Sequence, residues 1–355
     1  MRGEAVAEER PVAVRRHLVR TAAPQLLLVI LLAAVFVMAL SVGRFAVPFG
    51  EVVRILLAQV VPVPQTWTPA QQNVVLLVRL PRVLLALLVG GGLALSGAAL
   101  QATLRNPLVS PQIVGVSSGA SFGGALALVL GLGSPGLVGG AFAFGLVALL
   151  VVFLATAGSE PASVLMIVLA GVVTGSFFSA LVSLLTYLAD PYDQLPAIVF
   201  WLLGSVATAT FAKVGVAAVP VLAGAALVLA LRWRVNVLSL GDEDAAALGM
   251  RPVRVRWTVL CAVALIVAGA VAVSGVIGWV GLVIPHLARM WVGPDHRVLM
   301  PVSLLMGAGY LLLIDTLART MSEGEIPLGV LTALVGAPVF FLLLRRNRGK
   351  VWDRA

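Results

Sequence analysis

Few residues in this chain could do chemistry, and several of them lie in hydrophobic sequence near the C-terminus. The run Ser274–His296 reads SGVIGWVGLVIPHLARMWVGPDH and includes His286 and Arg289. Histidine and arginine could ligate a metal or bind an anion. However, such polar groups, and the Pro285 that breaks a helix, are costly in lipid unless other helices surround them. We therefore interpret both histidines as structural, predict no metal site, and expect the segment to lie inside a helical bundle.

Energy coupling is the next chemistry to consider. Asp315 is the one candidate for a proton- or sodium-coupled carboxylate in the membrane, but Arg319 follows four residues later, within ion-pair reach on the same helix face. We favour a structural pair. The chain contains no GxxxxGK[ST] phosphate-binding loop, so any ATP must be hydrolysed by a partner. Paired carboxylates, a histidine cluster and a nucleophile constellation are also missing from the hydrophobic segments, which argues against a membrane enzyme.

The amino-acid composition indicates which kind of secondary structure positions these residues. Of 355 residues, 61% are hydrophobic and only 11% are charged. A water-soluble domain of this size could not cover its surface with so few charges, so the chain is predicted to be an all-α integral membrane protein. Arg10, Arg15, Arg16 and Arg20 precede the first apolar stretch, which is too long for a typical signal peptide, and we interpret it as an uncleaved first span.

Hydropathy predicts ten spanning helices, because a helix needs roughly 20 apolar residues to cross a bilayer. The predicted limits are Pro24–Val42, Val74–Leu100, Ile113–Leu130, Gly136–Thr156, Ala162–Ala189, Val214–Leu231, Thr258–Val276, Trp279–Trp291, Val298–Leu317 and Leu328–Leu344. Leu195–Gly204 is too short to span and is predicted as a re-entrant or interfacial helix. The domain prediction is a cytoplasmic tail over 1–23, one ten-helix domain over 24–346 with a cytoplasmic loop at 232–256, and a cytoplasmic tail over 347–355.

Charge placement sets the expected orientation. Most of the 24 Lys and Arg residues fall on the side that holds both termini, which predicts that both termini are cytoplasmic. Residues 44–72 then form an outer, polar loop. The net charge of +9 is explained by this topology, and no soluble basic face for nucleic acid is visible.

The 232–256 loop contains SLGDEDAAALGM, with acidic residues at the start of a short alanine-rich helix and Gly249 at its end. Acids favour a helix N-terminus and glycine favours a helix end. The pattern fits a docking surface for an energy-supplying partner, although a solvated loop helix would look similar. Separately, LALSGAALQ in the second span and VAVSGVIGW in the seventh are weakly alike, and spans five apart run in opposite directions. This pattern hints at an inverted repeat.

Several motifs together resemble the FecCD-type permeases of bacterial ABC importers, and they keep their order across nearly the whole chain. They are RLPR at 79–82, SGAALQATLRNPLVSPQIVGVSSGA at 96–120, LAG at 169–171, LGDEDAAALG at 240–249, GWVGLVIPHLAR at 278–289, DHRVLMPVS at 295–303 and IPLGVLTALVGAPVF at 326–340. The resemblance implies a ten-helix, BtuC-like fold. It also implies a homodimer in the bacterial inner membrane, two ATPases that carry ATP and Mg, and a periplasmic or lipid-anchored binding protein.

The resemblance also implies roles for individual residues. Arg79, Arg82 and Arg319 match positions that offer outward-facing basic pockets to glutamates of the binding protein. Ser163 and Val164 match the region of a cytoplasmic gate. The family's ATPase-coupling element matches Leu240, Gly241, Asp242, Glu243, Asp244, Ala245, Ala246, Leu248 and Gly249.

The cargo expected from the resemblance is a metal chelate, with ferric siderophore or haem first and cobalamin next. An oxyanion such as molybdate is a further candidate, because relatives of this fold accept different cargo. An alternative of another class is an ion-coupled secondary transporter that works without an ATPase.

Overall fold

The computed structural model describes residues 9–157, 164–321 and 324–351, with side chains described from Ala23 to Arg345 apart from those gaps and Leu344. The described residues fold into α-helices, joined by turns and by one π-helical stretch, Val74–Arg79. The helices are α1 Glu9–Ser41, α2 Phe49–Leu57, α3 Pro69–Asn73, α4 Leu80–Thr103, α5 Val116–Val129, α6 Gly133–Thr156, α7 Val164–Leu188, α8 Gln194–Leu202, α9 Phe211–Leu238, α10 Asp242–Ala247, α11 Pro252–Ser274, α12 Val280–Val292, α13 His296–Met321 and α14 Leu328–Val351.

Each of the ten predicted spans corresponds to a helix, which confirms the predicted fold class. Seven are long and apolar enough to cross a membrane, and the other three are shorter apolar helices: α5, α12 and the Leu328–Leu343 part of α14. The predicted third span is shorter than expected because Gly115, with φ +84°, turns the chain just before α5 begins. The short helix predicted near Leu195 is α8.

The 44–72 segment was predicted as a polar loop but carries helical structure. α2 lies here because FGEVVRILL is amphipathic: Val52 and Ile55 are buried while the charged Arg54 is exposed. α3 begins at a capping box, in which Thr68 and Gln71 satisfy each other's backbone N–H groups. The π-helical stretch then joins α3 to α4, so helical structure is continuous from Pro69 to Thr103.

α4 and α11 form the centre of the bundle. In the most hydrophobic segment of each helix, 83% of the residues are buried in α4 and 78% in α11. The corresponding fractions are 22% in α7 and 33% in α9. Glycines allow this close packing. A Cβ at Gly97 of α4 would lie 1.8 Å from the carbonyl oxygen of Gly281 in α12, and one at Gly90 would lie 2.4 Å from that of Gly307 in α13. The helices therefore meet backbone to backbone.

The two segments that hinted at a repeat have different local roles. Gly97 is inside α4 and packs on α12, whereas Gly275 ends α11 with φ +67°, close to the carbonyl of Trp201. The inverted repeat stays a prediction.

Candidate functional site

α10 is a short surface helix between the end of α9 and the start of α11. Glu243 and Asp244 are exposed in its first turn. Leu240 before it and Leu248 after it are 64% and 66% exposed. Two exposed leucines beside two carboxylates form a surface of mixed apolar and acidic character, which suits contact with another protein.

Buried and local contacts hold α10 rigidly. Arg256 of α11 is only 1% exposed, and its Nη2 donates to both carboxylate oxygens of Asp242, at 2.7 and 2.9 Å. Arg105 reaches the same carboxylate at 3.8 Å. Asp242 therefore faces its own chain, so the acidic run divides into one structural carboxylate and two exposed ones.

The C-terminal end of α10 is closed by two backbone hydrogen bonds. The Gly249 N–H donates to the carbonyl of Ala246, and the Met250 N–H donates to that of Ala245. Gly249 has φ +78°, which glycine adopts without steric cost. Beside this end lies a groove of about 330 Å³ that includes Trp233 and Arg254. Trp233 is exposed, and no sequence signal singled it out.

A buried ion cluster lies at the other end of the bundle. Arg82 of α4 donates through Nε and Nη2 to the Asp315 carboxylate at 2.8 to 3.1 Å, and through Nη1 to both oxygens of Glu325 at 3.0 Å. Asp315 is 0% exposed. The predicted partner of Asp315, Arg319, lies farther away, with Nε at 3.9 Å. The structural pair exists, but the dominant partner is Arg82, which no local pattern could reveal.

The other arginines of this cluster cap the C-terminal end of α1. Arg79 Nη1 donates to the carbonyls of Leu40 and Ser41 at 2.7 and 2.9 Å, and Arg319 Nη2 donates to the carbonyl of Ala39. The last carbonyls of a helix lack intrahelical partners and carry partial negative charge, so guanidinium groups are favourable there.

These contacts bear on the predicted docking residues. Arg79, Arg82 and Arg319 are all buried, and each donates to acceptors within the chain, although Arg319 Nε has no hydrogen-bond partner. A carboxylate from a partner would have to replace an internal acceptor. The most accessible of these acceptors is Glu325, a residue the sequence analysis did not single out. The docking role therefore stays a prediction.

Other candidate residues show little that points to a ligand. His286 Nε2 and His296 Nδ1 are buried without hydrogen-bond partners, and Arg289 Nη2 donates to Gln101 Oε1 at 3.4 Å. Within the described ranges, no group of three His, Cys, Asp or Glu side chains could hold a metal ion. Of the two predicted gate residues, Val164 begins α7 and is half-buried, and Ser163 lies outside the described residues.

The fold and these sites define a class: a polytopic helical membrane protein with a rigid acidic surface helix at one end and a closed ion cluster at the other. Residues 30–346 match the FecCD transport family, and the chain belongs to it. It is thus a permease of the ABC importer type, from a family of transport subunits.

Three known proteins illustrate the similarity. The molybdate import system permease protein MolB of Haemophilus influenzae is 46% identical over 89% of this chain and 94% of its own. The ferric enterobactin transport system permease protein FepD of Escherichia coli is 38% identical over 92% and 95%. A solved structure assigned to the metal-chelate type of ABC transporter, in an inward-facing conformation, is 46% identical with a TM-score of 0.82, over 91% of this chain and 98% of its own.

Proposed function

We propose that this chain is the membrane-spanning subunit of an ATP-driven importer in the bacterial inner membrane. It works as a homodimer with two ATPases on the α10 side and one binding protein on the opposite side. Both termini then lie on the cytoplasmic side with α10, as the charge distribution predicts. The observation that carries this proposal is the rigid α10, whose exposed face consists of Leu240, Glu243, Asp244 and Leu248.

The Arg256–Asp242 contact suggests how this helix would transmit force. α10 is joined covalently to α9 and α11, and Arg256 ties it to the first turns of α11. α11 packs against α4 in the centre of the bundle. A displacement of α10 by an ATPase would therefore move a central helix rather than a flexible loop. ATP and Mg would be bound by the ATPase partner, and this chain would bind no cofactor.

Two cargo classes are proposed. One is an oxyanion such as molybdate, because a molybdate permease shares 46% identity over most of both chains, and the other is a metal chelate, because the solved relative of metal-chelate type has the same identity. The oxyanion, which the sequence-based expectation placed after metal chelates, is therefore proposed with equal weight. The predicted gate at Ser163 and Val164 and the docking arginines are part of the same proposal.

Transport by the reconstituted complex tests this function. The chain is placed in proteoliposomes with its ATPase and binding protein, and uptake of molybdate or of a ferric siderophore is measured with ATP or a non-hydrolysable analogue. We expect uptake only with hydrolysable ATP and both partners. Uptake driven by a proton or sodium gradient without the ATPase would instead establish the secondary-transporter alternative.

The role of α10 is tested by binding of the ATPase to the solubilised chain. Leu240→Ser with Leu248→Ser removes the exposed apolar groups and should weaken binding about tenfold or more, because burial of a leucine contributes roughly 1.5 to 3 kcal/mol. Glu243→Ala with Asp244→Ala should also weaken it. Asp193→Ala, which removes an exposed carboxylate next to α8, is the matched control. Equal affinity of all variants would contradict the docking role.

A further inference from the structure

A cavity of about 360 Å³ lies among the ends of five helices, at the opposite end of α9 from α10. It is lined by Leu128 near the end of α5, by the start of α6, by Phe200 and Trp201 of α8, by the end of α11, and by Lys213 in the first turn of α9. Ser205 and Thr208 add hydroxyl groups. We call this cavity the headgroup pocket. α9 has 28 residues, so Lys213 and α10 are separated by about 38 Å along the helix at 1.5 Å per residue.

Lys213 brings a positive charge to this pocket, and none of the carboxylates that the structure describes neutralises it. Lys213 as a whole is half-buried, and its ammonium group lies at the exposed mouth of the pocket, where it donates to the Thr208 hydroxyl at 2.8 Å. Among the residues that the structure describes, no carboxylate lies within ion-pair distance of it. An unpaired cation beside hydroxyl groups in a partly desolvated cavity favours an anionic ligand.

An apolar groove of about 410 Å³ continues from the pocket, and the two share Val138 and Ala272. α6 and α9 form its walls, and Leu265 and Gly269 of α11 form its floor. We call it the acyl groove. Its α9 residues run from Val216 to Ala223, three to ten residues beyond Lys213. The groove therefore extends about 5 to 15 Å farther along the helix, toward the middle of the membrane.

An anion site at the membrane boundary joined to an apolar groove at depth matches one chemical class, an anionic amphiphile. We propose that the headgroup pocket and acyl groove form a binding site for an anionic phospholipid. The phosphate would lie near Lys213 and Thr208, and an acyl chain would lie between α6 and α9 against α11. Under the proposed topology this lipid belongs to the outer leaflet. A free phosphate or oxyanion would use the pocket but gain nothing from the groove.

The lipid site also has a mechanical consequence. The acyl chain would contact α11, the central helix that α10 adjoins at its other end. Bound lipid would thus pack against α11, on the face that α6 and α9 leave open. α11 is the helix that an ATPase is proposed to displace through α10.

Lipid selectivity of the full-length protein tests the headgroup pocket. The protein is purified in mild detergent, stripped of lipid and offered phosphatidylglycerol or phosphatidylcholine, and bound lipid per chain is counted by native mass spectrometry. We expect about fivefold tighter binding of phosphatidylglycerol, as one basic residue near a membrane surface contributes. Lys213→Met should make the two lipids bind equally, and Lys213→Arg should keep the preference. Unchanged selectivity in Lys213→Met would overturn the proposal.

The acyl groove is tested separately. Ala223→Phe fills the groove and should reduce binding of both lipids, whereas Leu222→Phe, at the neighbouring exposed position outside the groove, should not. Displacement of lipid by inorganic phosphate, with no effect of Ala223→Phe, would identify a small-anion site instead. Disulfide formation between two copies of Val219→Cys in a Cys261→Ser background would identify a subunit interface. Either result refutes the lipid site, and none of these assays depends on transport.

Discussion

Asp315 is the residue on which the buried ion cluster depends. Its carboxylate accepts three short hydrogen bonds from Arg82 and is also near Arg319, while Glu325 neutralises the remaining side of Arg82. Arg79 and Arg319 then cap the last carbonyls of α1. A single carboxylate thus helps hold α1, α4 and α13 together, far from any predicted catalytic or coupling chemistry.

Replacing Asp315 by Asn should destabilise the protein strongly. The change leaves Arg82 and Arg319 buried with less compensating charge, and removing one partner of a buried ion pair costs about 3 to 5 kcal/mol. We expect a clear fall in the Tm of the detergent-solubilised protein. Arg54→Gln breaks the exposed pair with Glu51 and is the matched control, with an expected cost of about 1 kcal/mol or less. Equal Tm values for the two variants would contradict a stabilising cluster.

The contacts of Asp295 should make the stability of the protein sensitive to acid. It precedes α13 and accepts hydrogen bonds from the side chain and backbone N–H of Arg297, which lower the pKa of its carboxyl group below the ordinary value. A carboxyl group whose pKa is lower in the folded state than in the unfolded state stabilises the folded protein at any pH above the unfolded-state pKa, which is about 3.9 for Asp. This stabilisation is lost as the pH falls through the folded-state pKa.

The Tm of the wild type should therefore fall more steeply than that of Asp295→Asn below about pH 4. At neutral pH the wild type should be the more stable of the two, because a charged carboxylate accepts hydrogen bonds from the Arg297 guanidinium more strongly than a neutral amide oxygen does. The measurement is a series of thermal unfolding curves across acidic pH. Parallel curves for the two proteins would show that Asp295 does not contribute to acid sensitivity.

At the scale of elements, glycine residues allow α4 and α12 to approach each other closely. Gly97 meets the carbonyl of Gly281, and a Cβ at Gly281 would lie 2.8 Å from the carbonyl of Leu93. A small local shift cannot relieve such a contact, because the atoms that meet are fixed to the backbones of the two helices. This explains why a proline-containing helix of 13 residues, α12, can be held inside the bundle.

Gly97→Ala should therefore separate α4 from α12 and destabilise the bundle by about 1 to 3 kcal/mol, the usual cost of overpacking. Gly215→Ala in α9 is the control, since nothing lies within 4 Å of its Cβ position and alanine favours a helix. Thermal unfolding of both variants measures the difference. A Gly97→Ala protein as stable as the control would show that the two helices separate at little cost.

At the scale of the whole molecule, α4 and α11 fill the centre of the single chain. Close packing of this kind leaves little room for a cargo of several atoms to pass through the bundle. The outer helices, in contrast, carry many exposed apolar side chains that must face lipid or another subunit. The translocation path of the proposed importer is therefore expected between two copies of the chain.

We expect the purified chain to be a dimer in mild detergent, with twice the protein mass of one chain after correction for bound detergent. Light scattering coupled to size-exclusion chromatography provides the measurement, and the complex with the ATPase should contain two copies of each. A complex with one copy of this chain would contradict a path between subunits.

The amino-acid sequence by itself determined the membrane class, the positions of the apolar helices and the short acidic helix α10. These features depend on local composition, because a helix in lipid must satisfy its own backbone and cover it with apolar side chains. The glycine at the end of α10 and the short apolar helix α8 are local in the same sense. The amphipathic pattern of FGEVVRILL was a local signal of the same kind for α2, but the segment was predicted as a polar loop because it is too short to span a membrane.

Only the tertiary structure decided which charged groups meet. Arg82 and Asp315 are 233 residues apart, Arg256 divides the acidic run by binding Asp242, and Lys213 faces a cavity built from five helices. In sequence, an arginine at the edge of a span looks the same whether it faces water, lipid or a buried carboxylate. The partner is chosen by the packing of helices, which glycine contacts distributed along the whole chain determine together.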